Sequence, residues 1–261
     1  MKKLVCLLAI AALSVGTALA YDENLYDGNP GNGVINSSHD INTLSGLERD
    51  DQGRVCAFCH TPHHAEDLGG EYNPLWAHTP STVVGQPYES ATYDADDEGF
   101  VDPLIGPSRL CMSCHDGMIA PDQHYGNLFP GTPIAGTFPY GSDAFGGIAV
   151  GLGGNFTNDH PIGFNVANVS DTGLVANIWD GAQFASNLKN VVIGEQLFKN
   201  DANERYFTCA TCHDVHNQLN VRNDDTGLWL DQTDHRDDFK GNYFVYSPQS
   251  GSQLCLSCHN K

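Results

Sequence analysis

Basic residues are scarce in this chain. Only 12 Lys and Arg stand against 32 Asp and Glu, which gives a formal net charge of −20 at pH 7. A protein that holds nucleic acid neutralises phosphates with Lys and Arg, so this balance excludes nucleic acid as a partner. Anionic membrane surfaces are disfavoured for the same reason. The composition suits a soluble exported protein, a basic redox partner or a cationic mineral surface, and the equal alternative is that the charge only keeps the protein soluble.

Long apolar runs are also missing. The one apolar stretch, residues 4–13, follows Lys2 and Lys3 and precedes the small residues 18–20. A charged start, a short apolar core and a small-residue cleavage site are typical of a secretory signal peptide. We therefore expect residues 1–20 to be removed, with no integral membrane segment in the rest. The expected location is secreted, extracellular or at the cell surface, with the periplasm as the alternative.

Free cysteine is absent from the expected mature chain. Of the nine cysteines, Cys6 leaves with the signal peptide, and the other eight form four Cys-x-x-Cys-His motifs. The motifs are Cys56, Cys59 and His60; Cys111, Cys114 and His115; Cys209, Cys212 and His213; and Cys255, Cys258 and His259.

This spacing is the attachment signature of c-type haem, in which both thiols become thioethers and the histidine becomes the proximal iron ligand. A zinc knuckle or a redox dithiol also uses paired cysteines. Four motifs on an exported chain with no thiol left over favour haem. The sequence therefore predicts four covalent haem c groups in each chain.

Methionine is too rare to complete these sites. Only Met112 and Met118 remain after signal removal, both beside the second motif, whereas eight of the 12 histidines are not proximal. We therefore expect two histidines on each iron, which leaves no open position for a substrate and indicates an electron carrier rather than an enzyme. The distal candidates are, in falling order, His63, His216, His160, His39 and His78. The remaining histidines, predicted to lie at the surface or beside a ligand, are His64, His124 and His235.

Two of these candidates share one spacing. His63 follows proximal His60 by three residues, and His216 follows His213 by three. Residues three apart on a helical turn lie only about 5 Å from each other. Because the two axial ligands of one iron approach opposite faces, neither histidine fits its neighbour's haem. If each binds a different iron, two haems are brought close together. The alternative is a polar side chain that hydrogen-bonds a haem propionate.

The motifs repeat in the order A-B-A-B. Residues 59–63 resemble residues 212–216, and residues 109–115 resemble residues 253–259. This predicts two two-haem units, at about residues 21–130 and 155–261, joined by a Gly-rich segment at 131–154.

The abundant Gly, Pro, Asn and Asp predict mostly irregular chain with short helices and few strands, organised around four stacked haems. Short helices are expected after each motif, and a longer one at Val192 to Asn200. Such a chain is expected to be disordered without haem.

One acidic turn, residues 94–99, resembles the first half of a calcium loop. Ile105 occupies the position where a Glu should close such a loop, so the turn is interpreted as solvated, with bound calcium as the alternative.

The motifs and their surroundings resemble those of doubled-CXXCH multihaem cytochromes. The resemblance lies in residues 38–40, 56–63, 74–78, 110–117, 159–161 and 209–216. This group includes tetrahaem cytochromes that polymerise into extracellular nanowires. The resemblance implies electron hopping along stacked haems, with copies of the chain, other multihaem cytochromes and extracellular metal oxides as partners. It also implies that one haem takes a histidine from the adjacent subunit, for which His39 is the candidate.

Overall fold

Most of the structure is irregular chain held by short turns. The computed structural model describes residues 34–35, 39–43, 49–67, 72–90, 93, 102–116, 150–151, 154–169, 173–185, 190–216, 244–247 and 250–260. The α-helices in these ranges are α1, Pro107–His115; α2, Cys209–Cys212; and α3, Gln253–Cys258. The 3₁₀ turns are Ile41–Thr43, Val55–Phe58, Val166–Asn168, Ile193–Gln196 and Ser250–Ser252. Strand β1, Phe198–Lys199, pairs antiparallel with β2, Arg205–Tyr206.

Several predicted features lie outside the described residues. They are the signal peptide, the acidic turn, His124, His235 and nearly all of the Gly-rich segment. Within the described ranges, no helix has the length and apolar content that a bilayer crossing requires.

The motifs lie inside short helical turns, whereas the sequence predicted helices after them. The first motif begins in the 3₁₀ turn Val55–Phe58, and α1, α2 and α3 hold the cysteines of the other three. Helix α1 begins where Gly106 adopts a positive φ of 56° and Pro107 takes the first helical position. Proline is favoured there because its missing N–H would have no helical partner. One turn of helix brings both cysteines of a motif onto the same side of the chain.

The helix predicted at Val192 to Asn200 is wrong. The structure has the 3₁₀ turn Ile193–Gln196 followed directly by strand β1. The amide of Ile193 donates to the carbonyl of Ala182 at 2.9 Å, and Phe198 pairs with Tyr206 in the two-stranded ribbon. Bonds to distant segments thus replace the local bonds of a helix, which short-range propensity cannot reveal.

The backbone around the first motif recurs around the third. The amide of Ala77 donates to the carbonyl of Cys59 at 2.9 Å, and Tyr246 donates to Cys212 at 3.0 Å. The residue two positions before each donor has a positive φ: 60° at Leu75 and 59° at Phe244. Such a φ is unusual for large side chains, so its repetition shows the same local fold in both places.

Three small apolar clusters lie among the buried side chains of the described residues. Each has only three or four buried side chains. Their members are Phe164, Val166, Leu197 and Phe207; Leu104, Met112 and Phe156; and Ile178, Phe184 and Ile193. The clusters lie beside the motif helices, because Met112 belongs to α1 and Cys212 and Cys258 pack against the other two.

Asp50 stabilises the segment before the first motif. Its side chain is buried and accepts hydrogen bonds from the amides of Gln52 and Arg54, at 3.0 and 2.8 Å, and from the Arg54 guanidinium. The guanidinium lowers the pKa of Asp50 to about 2, from an ordinary value of 3.8. A lowered carboxyl pKa stabilises the fold above pH about 4, and the effect disappears as the pH falls through about 2.

We expect Asp50→Asn to lower the free energy of unfolding by about 1 to 2 kcal/mol at neutral pH, a value reduced for the exposure of Arg54. The difference from the wild type should vanish near pH 2. Denaturant unfolding of the haem-loaded protein across this pH range measures it, and Asp51→Asn at the exposed neighbour is the control. An equal loss at both pH values would contradict the role of the Asp50 charge.

Candidate haem sites

The four motifs lie next to one another in chain order. Burial and then the neighbouring Cys114 thiol raise the pKa of Cys59 to about 12, which places the first motif beside the second. The thiol of Cys111 donates to Cys209, which joins the second motif to the third. The amide of Cys209 also donates to the Oγ of Ser108 in α1, at 3.1 Å.

The third and fourth motifs are joined in the same way. Burial raises the pKa of Cys212 to about 12, and the neighbouring thiol of Cys258 raises it further. Burial also raises the pKa of Cys258, to about 11. None of the eight motif cysteines forms a disulfide. Because thiolates are the reactive form, the buried thiols with raised pKa values are weak nucleophiles once packed. We therefore expect haem attachment to precede final packing of the chain.

His60 faces His216 across the two halves of the chain. Their ring centres are 6.2 Å apart and their planes differ by 22°. Nδ1 of His60 lies 2.8 Å from the carbonyl oxygen of Pro74. A carbonyl only accepts hydrogen bonds, so Nδ1 carries the proton and Nε2 keeps the lone pair that a metal needs.

His39 faces His115 within the same chain. Their ring centres are 6.1 Å apart with planes at 51°, and the edge of Phe244 packs against His39 at 4.7 Å. Burial lowers the pKa of His39 to about 3, and His115 is the next cause. His39 is therefore neutral at physiological pH, as a metal-binding imidazole must be.

His160 faces His259 near the C-terminus of the chain. Their ring centres are 6.4 Å apart with planes at 62°, and Phe207 stacks on His160 at 5.3 Å. Nδ1 of His160 lies 3.0 Å from the carbonyl oxygen of Pro161, which leaves the lone pair on Nε2. The His160 side chain is exposed to solvent, yet partial desolvation by the surrounding protein lowers its pKa.

These three spacings fit two imidazoles on one iron. A metal–imidazole bond is about 2 Å long and the ring centre lies about 1 Å behind the nitrogen, so trans imidazoles have centres about 6 Å apart. The observed spacings are 6.1, 6.2 and 6.4 Å. Each pair joins one motif histidine to one distal candidate from the sequence.

The remaining distal candidates have contrasting surroundings. His63 is exposed, and its amide donates to Oγ1 of Thr61 at 3.3 Å. His78 is fully buried, with Nδ1 3.4 Å from the carbonyl oxygen of Thr79. His64 is exposed and has a positive φ of 61°.

Sequence reasoning missed the residues that orient the imidazoles. The carbonyls of Pro74 and Pro161 accept the Nδ1 protons of His60 and His160. Phe207 and Phe244 pack against the distal candidates. The proline beside His160 was a usable signal, because proline fixes the chain and leaves a carbonyl in place. Phe207 lies two residues before Cys209, but nothing in the local sequence indicates that its ring stacks on the distant His160.

Two further observations bear on the sites. In the part of the chain that is described, no group of three or more His, Cys, Asp or Glu side chains is placed to hold a bare metal ion. Each imidazole pair has only two side chains, so it is not a group of this kind. A scan against protein-family models matches none, and a search of curated proteins finds no match.

Proposed function

We propose that this chain is a tetrahaem c-type cytochrome that carries electrons. The observation that carries the proposal is the placement of a second imidazole 6.1 to 6.4 Å from three of the four motif histidines. Thiol attachment alone would not require these pairs, and a zinc site would use three or four ligands around one ion. Six-coordinate haem iron, when bound, supplies reversible one-electron chemistry and has no position for a substrate.

The proposed ligand sets follow from the pairs. His60 and His216 hold the first iron, His115 and His39 the second, and His259 and His160 the fourth. Of these six, His60 and His160 are held in a fixed orientation by the carbonyls of Pro74 and Pro161, which accept their Nδ1 protons.

His63 is proposed as the partner of His213 on the third iron. The backbone around the first motif recurs around the third, and His216, three residues after His213, faces His60. The equivalent position in the first half is His63, three residues after His60. Reciprocal ligation would tie the two halves together and hold their haems close. His78 is the alternative ligand, because it is fully buried and its Nδ1 bond leaves Nε2 as the lone-pair nitrogen.

The proposed setting is outside the cell, with the chain as the subunit of a filament that passes electrons to other multihaem cytochromes or metal oxides. The resemblance of the motifs to those of polymerising tetrahaem cytochromes supports it. A monomeric periplasmic shuttle is the alternative, and a multihaem reductase is less favoured because it needs an open iron position. His39 lies against His115 of its own chain, which favours an internal ligand over one that crosses to a neighbour.

The first test is the purified, exported protein. We expect its mass to exceed that of the polypeptide by four haems, with a c-type haemochrome band and a ferric electron paramagnetic resonance spectrum that contains only low-spin signals. Bare thiols in the mass spectrum would overturn the proposal, and a strong high-spin signal would favour the reductase. Negative-stain microscopy of the same sample distinguishes filaments from single particles.

A further inference from the structure

Trp76 connects the first motif to the second. Its side chain is 8% exposed, and the indole meets the ring of His60 edge to face at 6.1 Å, with planes at 84°. Nε1 donates to the Oγ of Ser113 at 3.2 Å. Ser113 is fully buried and lies between Cys111 and Cys114 in α1. The Trp76 side chain thus contacts the histidine of the first motif and, through Ser113, the helix that holds the cysteines of the second motif.

The backbone holds Trp76 firmly opposite His60. The two residues form an isolated β-bridge. Thr61 donates to Leu75 at 2.8 Å and Ala77 donates to Cys59 at 2.9 Å, one on each side of the bridge. The imidazole is therefore held on one edge by the Pro74 carbonyl and faced by the indole.

The second half of the chain lacks this connection at the equivalent position. Val245 forms the bridge to His213 where Trp76 forms the one to His60. Ser257, the equivalent of Ser113, accepts instead from the amide of Ala185 at 2.8 Å. The repeat therefore keeps the buried serine and its hydrogen bond but supplies the donor from the backbone. At this position, an indole is present in the first half and a valine in the second.

We infer that Trp76 is a positioning residue that fixes the ring plane of His60 and joins the first haem site to the second. The inference rests on the proposed function. The indole edge restricts rotation of the imidazole, and its N–H holds α1 against the first motif. The orientation of an axial imidazole influences the electronic state of low-spin iron, so the first haem should report the loss of the ring. The hydrogen bond should contribute to stability without affecting that orientation.

Three variants separate the two roles. Trp76→Val installs the side chain of the equivalent position, Trp76→Phe keeps an aromatic edge without the N–H, and Ser113→Ala removes the acceptor. We expect Trp76→Val to shift the g values of one low-spin haem, the one whose signal His216→Ala removes. Trp76→Phe and Ser113→Ala should leave these g values unchanged and lower the melting temperature by similar amounts. Ser113→Ala also removes the bond that the hydroxyl donates to the carbonyl of Arg109 at 3.4 Å, so the double variant Trp76→Phe/Ser113→Ala should lower the melting temperature by less than the sum of the two single variants, because both remove the same indole bond.

Val245→Ala is the matched control, because it removes packing at the equivalent position of the other half. It should destabilise the protein without shifting the g values of the first haem. If Trp76→Val leaves these g values unchanged while all four haems stay low spin, the inference is overturned and the proposed function stands. If the wild-type protein carries no haem, the proposed function itself fails.

Discussion

Replacement of His216 by Ala is expected to convert one of four low-spin haems to a high-spin, five-coordinate form. His216 faces His60 at 6.2 Å, and its loss removes the second imidazole from the iron that His60 holds. Because an iron with one axial histidine has an open position, this haem should also bind cyanide or carbon monoxide. Electron paramagnetic resonance of the ferric protein measures the change, with three low-spin signals retained.

The control is His64→Asn, which removes an exposed imidazole that lies in neither a motif nor an observed pair. Asn tolerates the positive φ of His64, so the backbone is not strained by the change. All four signals should remain low spin. Retention of four low-spin haems in His216→Ala would contradict the assignment of His216, and His78 or another imidazole would then have to serve the first iron.

The same measurement on His39→Ala tests where that ligand comes from. The ring lies 6.1 Å from His115 of the same chain, so monomers and assemblies of the variant should both contain one high-spin haem. In the wild type, dilution to monomers should leave the second haem low spin. A high-spin signal that appears in wild-type protein only on dilution would show that a ligand crosses between subunits, as the resemblance implied for His39.

The second large effect concerns folding. The chain made without haem attachment is expected to be disordered, because its own side chains form only small clusters. The described α-helices have nine, four and six residues. Isolated helices shorter than about 12 to 15 residues are marginal in water. Strands of two residues add little, so we expect bound porphyrin to contribute much of the apolar core.

Circular dichroism and proton–nitrogen correlation spectra of chain 21–261 produced without haem-attachment machinery measure this. We expect a coil-like far-ultraviolet spectrum, narrow amide dispersion and rapid proteolysis. The control is the same chain exported and matured with haem, which should unfold cooperatively on heating. A cooperative transition in the haem-free chain would show that the polypeptide folds alone.

Helix positions show how far local patterns could be read. The sequence predicted short helices after each motif, whereas α1, α2 and α3 contain the cysteines of the last three motifs, and the described residues 61–67 after the first motif include no helix. At Val192 to Asn200 the apolar residues suggested a helix, yet bonds to Ala182 and Tyr206 produce a turn and a strand. At Val192 to Asn200 the deciding partners lie outside the segment itself. Local propensity is a weak guide when tertiary hydrogen bonds compete with it.

The sequence alone determines the four Cys-x-x-Cys-His motifs, the surplus of histidine over methionine and the A-B-A-B order, because they depend on residue type and spacing. The pairing of His60 with His216, of His39 with His115 and of His160 with His259 could not be read from it. These partners are separated by long stretches of chain, so only the fold can bring their rings to 6.1 to 6.4 Å from one another, and at His60 and His160 a proline carbonyl also accepts the Nδ1 proton. Spacing determines which residues are available for this chemistry, and three-dimensional proximity determines which of them meet.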